Sequence, residues 1–436
     1  MDVLSATLIT SGSATAIACL IGIPLGAWLS TMKQNWVLKT TSLLVRTLYG
    51  LPPVVVGIWV YLVLSKDGIL ADLDWLYSIK GMILAQTVLI LPLVLGFSWF
   101  SFERYEARRG DVARMTGANK WQLLRLKIAG ARGGVMQGVA LSFGRAIAEV
   151  GAVLMVGGNI AGQTRVMTTS IVLETSVGDL DNALILGFQL LAISMLVMFF
   201  TFDVPFVSRK KRVTSIDPIP DSTPCGEVVV KGLGVEGILE DVEFSIPAGT
   251  ITVVLGESGA GKSTLLKAVA GLIPSKGGML GVPEVGPNGT CMVFQEQVWL
   301  RRHVDEELVL ARDLHGMPDC SGNILEKLGL SELVNRRMSS LSGGERQRIL
   351  VMRNMAMAPS LLLLDEFTSS LDGASIEMLE GIVKEHRESG GSAIIVTHNV
   401  LQAERLADQI LFMHNGRLVS KESDAAEALL SGQWTG

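Results

Sequence analysis

The chain has 436 residues, enough for two or three domains, and its formal net charge of −5 comes without an acidic or basic tail, which argues against nucleic acid as a partner. Cys19, Cys225, Cys291 and Cys320 lie far apart and without metal-ligand spacing, so they read as reduced and structural. Near Val207 long runs of Leu, Ile, Val, Ala, Gly and Met give way to charged residues at ordinary globular density, the mark of a membrane half followed by a soluble half.

A helix needs roughly 20 apolar residues to cross a bilayer. Five stretches meet this, at 3–30, 42–65, 81–100, 133–157 and 183–207, and predict an all-α transmembrane domain over 1–207. No basic segment precedes the first stretch, which is too long for a signal-peptide core and so reads as a membrane helix. Pro24, Pro52, Pro53 and Pro92 fall inside these spans and are expected to mark kinks. Basic residues collect in alternate connections: Lys33 and Lys39, then Arg104, Arg108, Arg109, Arg114, Lys120, Arg125, Lys127 and Arg132, then Arg209, Lys210, Lys211 and Arg212. The intervening segments 66–80 and 158–182 lean acidic, with Asp67, Asp72, Asp74, Glu174, Asp179 and Asp181. Positive loops stay inside, so the N-terminus is placed outside and the soluble half in the cytoplasm.

The long basic connection, about 103–132, contains DVARMTGANKWQLLRLKIAGA from Asp111 to Ala131. A short amphipathic helix ended by Gly117 would present a rigid knob to a partner domain; the other reading is a basic interfacial helix at the membrane surface.

Residues 208–226, with Pro218, Pro220 and Pro224, read as a linker to a soluble domain over 227–436. GTITVVLGESGAGKSTLLKAVAGL reads as strand, Gly-rich turn and helix, and Gly256 to Ser263 fits the phosphate-loop pattern in full. There the amides of Gly256, Glu257, Ser258, Gly259, Ala260, Gly261, Lys262, Ser263 and Thr264 would cradle phosphate at a helix N-terminus. Lys262 would neutralise the β- and γ-phosphates and the Ser263 hydroxyl would ligate Mg²⁺. In LLLLDE a buried strand delivers Asp365, to hold Mg²⁺ directly or through water, and Glu366, to orient or deprotonate the attacking water. Between them LSGGERQR places Ser342, Gly343 and Gly344 at a helix start, where their amides are an anion site or Ser342 and Glu345 merely cap the helix.

Taken in this order, these strings resemble the ABC ATPases across 227–436, which implies an α/β P-loop domain that binds ATP and Mg²⁺. The resemblance also implies that Gln295 in VFQE senses Mg²⁺, that His398 after SAIIVT touches the γ-phosphate, and that Asp372 in SSLD lies where paired ATPases meet. Each ATP of that family lies between one copy's phosphate loop and the other's signature, so a homodimer is implied. Phe367 and SSLD depart from the usual pattern, and no aromatic residue between Gly226 and Glu243 is available to stack on adenine. The 38 residues after His398 imply no appended regulatory domain.

Asp111, Ala113 and Gly117 resemble the coupling loop of binding-protein-dependent importers, though the usual Leu-Pro ending is missing. FGRAIAEVGAVLMVGGNIAGQTRVMTTSIVLETSVGD and LPPVVVG resemble tungstate permeases closely and molybdate and sulfate permeases more loosely. A tetrahedral oxyanion cargo, tungstate before molybdate, and an extracytoplasmic binding protein are thereby implied, for a protein in the cytoplasmic membrane. Arg145 and Glu149 sit one helical turn apart in the fourth span. Ionisable groups at that depth face a bundle interior or a wet path. Either Arg145 attracts or gates the anion while Glu149 keeps it from trapping cargo, or the two form a structural salt bridge. The rival readings are an importer of another small solute, an exporter or lipid translocator, and a soluble ABC protein, against which the five apolar spans argue.

Overall fold

The computed structural model describes residues 2–32, 35–201, 217–369 and 371–423. Lys33, the basic run 209–212, the start of the linker and Ser370 lie outside them. Two compact units result, one of Met1–Ala107 with Lys127–Ser208, the other of Arg108–Leu126 with Arg209–Gly436.

The first unit is helical. Helix α1 (Val3–Leu29) carries a small residue at every fourth position, Ala6, Thr10, Ala14, Ala18, Gly22 and Gly26, all buried. This stripe lets backbones approach closely, as membrane helices without a hydrophobic drive between them require. A Cβ on Gly26 would lie 2.8 Å from the Trp99 amide nitrogen. The second apolar stretch is α2 (Trp36–Thr47), a turn at Leu48–Gly50, and α3 (Pro53–Leu64), bent by 99°. Helix α4 (Ile79–Arg114) runs unbroken for 36 residues, about 54 Å at 1.5 Å per residue, well beyond a hydrocarbon core of about 30 Å. Helix α5 (Lys120–Ile147) continues after a bend of 56° as α6 (Gly151–Gly157). Then come α7 (Met167–Val177) and α8 (Leu180–Thr201).

Among the described residues three helices are thus long and apolar enough to cross a membrane, or up to five if each bent pair is one span. The prolines sort differently from the expectation of four kinks. Pro52 and Pro53 sit at a break, but Pro24 and Pro92 lie inside unbroken helices, and the second break has no proline at all. The 158–182 segment, expected as an external connection, contains α7, whose first turn is buried and joined to α1 by the Met167 amide donating to Thr7 Oγ1 at 2.9 Å.

Among its described residues the second unit holds two sheets. Strands β1 (Val228–Val235), β2 (Leu239–Ile246), β3 (Ile251–Gly256), β4 (Lys276–Leu280), β5 (Thr290–Val293), β6 (Leu361–Asp365), β7 (Ser392–Thr397), β8 (Gln409–His414) and β9 (Arg417–Val419) divide into the orders β2-β1-β4 and β5-β6-β7-β3-β8-β9. The small sheet is antiparallel; the large one is parallel from β5 to β8. Strands β3, β6 and β7 are buried at every residue, as continuous apolar runs covered on both faces must be. Parallel strands bring their carboxyl ends to one edge, so the turns after β3, β6 and β7 meet there. The helices are α9 (Lys262–Val269), the short α10 (Val304–Leu308), α11 (Leu310–His315) and α12 (Ser321–Lys327), then α13 (Gly343–Met355), α14 (Gly373–Glu388) and α15 (Val400–Leu406).

A buried ion pair fastens α10 to α13: Arg353 Nη1 donates to Glu307 Oε1 at 2.6 Å, and Glu307 also accepts from the amides of Leu300 and Arg301. Both side chains are almost wholly inaccessible. Glu307→Ala would strand a buried guanidinium and two amides, and should destabilise this unit by about 3–5 kcal/mol, measured by denaturant unfolding of the purified protein. A loss under about 1 kcal/mol would mean that water reaches the pair.

Candidate functional site

Strand β3 ends at Gly256, and Gly261, at φ 99°, turns the chain into α9. This turn leaves the phosphate loop at the start of α9, where unpaired amides and the helix dipole favour an anion. Lys262 is buried, and its Nζ donates to the carbonyls of Gly256 at 2.7 Å and Glu257 at 2.5 Å. Burial lowers the pKa of this ammonium, against the raising influence of Glu366, Asp365 and Glu257. A desolvated cation resting on its own loop's carbonyls suits a phosphate better than its present partners.

Ser263 Oγ donates to Asp365 Oδ1 at 3.0 Å, joining the helix start to the end of β6. Burial raises the Asp365 carboxyl above the usual range, opposed by this hydrogen bond. A hydroxyl and a buried carboxylate side by side are the oxygen donors that a Mg²⁺ with most of its own waters requires. The residues present therefore fit ATP with Mg²⁺.

Glu366 follows with φ 44°, a left-handed conformation that costs a non-glycine residue about 1–3 kcal/mol and recurs at functional sites. Its carboxylate is held from two sides. Gln295 Nε2 donates to Oε2 at 3.0 Å, and His398 Nδ1 lies 3.3 Å from Oε1. Three residues up to 103 positions apart in sequence thus converge on one carboxylate, with Gln295 and His398 themselves exposed.

Ser342 caps α13 in a reciprocal box with Glu345, each accepting from the other's amide. The amides of Gly343 and Gly344 lie in the first turn, beyond that box, with Ser342 and Gly343 exposed. This turn is tied to the Gln295 loop by Gln297, a residue that motif reading did not single out: its Nε2 donates to the Gly343 carbonyl at 3.1 Å and its Oε1 accepts from Arg346 at 3.3 Å. Arg346 also lies over the Trp299 ring, 5.0 Å from its centre. Asp372 is exposed and caps α14, accepting from the Ser375 amide; the Ser375 hydroxyl and then this amide hold its carboxyl below the usual range.

The segment expected as a separate short helix is instead the end of α4, a tight turn, and the start of α5. Asp111 accepts from Arg114 at 2.8 Å, Ala113 is buried, and Met115 joins the apolar core of the small sheet and α9. Gly117, at φ 68°, presses on Gly286: a Cβ there would lie 2.7 Å from Gly286 Cα. His315 Nε2 donates to the Thr116 carbonyl at 2.7 Å, and Gln122 donates to the Leu314 carbonyl at 2.5 Å. No sequence signal marks Gly286 or His315 as receivers of this turn.

Arg145 and Glu149 do not share a helix face, because α5 ends at Ile147. Arg145 donates to the carbonyls of Tyr49 at 2.5 Å and Leu51 at 2.8 Å, while Glu149 accepts from the Ala152 amide at 3.1 Å.

The sequence profile of the ABC transporters matches residues 239–369. The tungstate uptake system permease protein TupB of Peptoclostridium acidaminophilum is 38% identical over 192 residues, 44% of this chain and 83% of that protein. The tungstate uptake system ATP-binding protein TupC of the same organism is 35% identical over 199 residues, 43% of this chain and 92% of that protein. The aliphatic sulfonates import ATP-binding protein SsuB 1 of Burkholderia cenocepacia (strain HI2424) is 36% identical over 218 residues, 49% of this chain and 67% of that protein.

Glu366→Gln keeps the shape and removes the charge that Gln295 and His398 enclose. Hydrolysis should fall by on the order of 10²–10⁴ with ATP binding retained, and near-normal turnover of the purified variant would remove Glu366 from that role. Lys262→Ala should instead weaken ATP binding itself, measured by equilibrium binding of a fluorescent analogue.

Proposed function

The chain belongs to the ABC transporters, which bind ATP with Mg²⁺ and hydrolyse it, and from that premise we propose that it imports a tetrahedral oxyanion, tungstate before molybdate, as a homodimer served by an extracytoplasmic binding protein. The observation that carries the proposal is the pairing of relatives: one chain is similar both to a permease and to an ATP-binding protein of tungstate uptake, each over more than four fifths of that protein. The sulfonate relative matches about as well as the tungstate ATP-binding protein, so the choice of cargo rests on the permease.

Bound ATP and Mg²⁺ supply the phosphoanhydride bond whose hydrolysis provides the free energy. In this reading Lys262 exchanges its two loop carbonyls for phosphate oxygens, and Ser263 and Asp365 hold the metal. Glu366 orients the attacking water and takes its proton, while Gln295 and His398 keep the carboxylate in place. The Ser342–Gly344 turn of a second copy closes over the same phosphates, with Asp372 near the junction. The turn around Asp111, Ala113 and Gly117 passes these changes to the membrane helices, since its backbone is held by Gly286 and His315 and the Gln122 side chain beyond it by the Leu314 carbonyl. The membrane half lies in the cytoplasmic membrane with its N-terminus outside, supported by the basic residues of the connections.

Cells lacking their other high-affinity systems should accumulate tungstate or molybdate only when this chain and its binding protein are both present. Uptake of an aliphatic sulfonate instead, or outward movement on addition of ATP, would overturn the cargo or the direction. Mixing Lys262→Ala chains with Ser342→Arg chains places both defects on one site of a mixed dimer and should restore part of the hydrolysis; no recovery under verified mixing counts against the shared site.

Gly117→Leu puts a side chain where 2.7 Å separates it from backbone. Transport should fall at least tenfold with ATP binding unchanged, followed by uptake in proteoliposomes, and full transport would sink the coupling role.

A further inference from the structure

Both breaks in the membrane helices leave backbone groups without helical partners, and a group left so in a bilayer costs several kcal/mol. At the first break Pro53 has no N–H, which frees the Tyr49 carbonyl, and Leu51 precedes the start of α3. Both carbonyls accept from Arg145, one from each Nη. At the second break the Glu149 carbonyl accepts from Thr168 Oγ1 at 2.8 Å and the Ala152 amide donates to Glu149 Oε1, while the Ala146 carbonyl, which accepts from the Glu149 amide at 3.3 Å, takes a second bond from Gln86 Nε2 at 2.8 Å. The short helices beyond the breaks pack backbone to backbone: a Cβ on Gly57 would lie 2.8 Å from Ala152 Cα.

We propose that Arg145 is a positioning residue, a latch whose guanidinium ties the end of α5 to the Pro52–Pro53 break so that the two broken spans move as one body, and that it is not the ligand of the transported anion. Each Nη of the half-buried guanidinium donates to a carbonyl, and ionisable side chains within membrane helices commonly pair with backbone carbonyls in this way. Glu149 serves as the cap of α6 through Oε1, a task that needs an oxygen acceptor and no charge. The proposal takes its transport readout from the oxyanion-import reading, but the latch itself is a statement about two backbone segments.

The test compares Arg145→Lys, Glu149→Gln and the unaltered full-length protein. Arg145→Lys keeps the charge but not the fork, a change that is not conservative at a two-pronged site. Amide hydrogen exchange over 48–56 and 148–154 in detergent should rise at least about tenfold in Arg145→Lys, with the basal ATP hydrolysis unchanged. In proteoliposomes the maximal rate of tungstate uptake should fall while the KM stays within about twofold. Glu149→Gln retains the acceptor and should match the unaltered protein in both measurements. Exchange unchanged in Arg145→Lys overturns the latch, and unchanged exchange with a raised KM identifies an anion ligand instead. A raised KM in Glu149→Gln with unaltered exchange overturns the capping role. Should no oxyanion be transported by the unaltered protein, the import reading fails while the exchange measurement still decides the latch.

Discussion

A buried backbone N–H or C=O without a partner costs more than most side-chain contacts return, and the arrangement of both units follows from where such groups are sealed and where they stay open. In the membrane unit they are sealed. Two helix pairs are sharply bent, and the side chains of Gln86, Arg145, Glu149 and Thr168 bond backbone groups at the bends. In the ATPase unit two helix starts, α9 and α13, follow the phosphate loop and the Ser342–Gly344 turn, and a helix start favours an anion. The same physical demand thus produces a closed interior in one half and, in the proposed reading, a ligand site in the other.

Parallel strands make the second outcome possible. With β6, β7 and β3 side by side, their carboxyl ends place Ser263, Asp365, Glu366 and His398 within reach of one another. Gln295 arrives from the end of β5, and two residues later Gln297 holds the signature turn. One short loop therefore touches both the Glu366 carboxylate and the Ser342–Gly344 turn. The strain at Glu366, held at φ 44°, is offset by the buried strand behind it.

The turn at Gly117 belongs structurally to the ATPase unit although its chain segment lies between membrane helices. It is seated by a glycine pair, by the His315 bond to the Thr116 carbonyl, by the Gln122 bond to the Leu314 carbonyl and by Met115 in the apolar core.

The sequence by itself determined a membrane half and an ATPase half, the phosphate loop, Asp365, Glu366 and the signature, because each is a local string whose chemistry does not depend on distant partners. It also marked the apolar stretches, of which three are single long helices and two are bent pairs among the described residues, since hydrophobic length is an additive property. It could not show that two of those stretches are broken. Proline content misled there: Pro24 and Pro92 are absorbed by intact helices, whereas the break at 148–150 contains none. Nor could it tell that Arg145 and Glu149, one turn apart on a helical reading, face different partners once α5 ends at Ile147. Gln297, Gly286 and His315 carry no motif, and their roles exist only because loops remote in sequence meet. Local chemistry is written residue by residue, but a helix ends, and a backbone group finds its partner, only where tertiary packing supplies the other half of the bond.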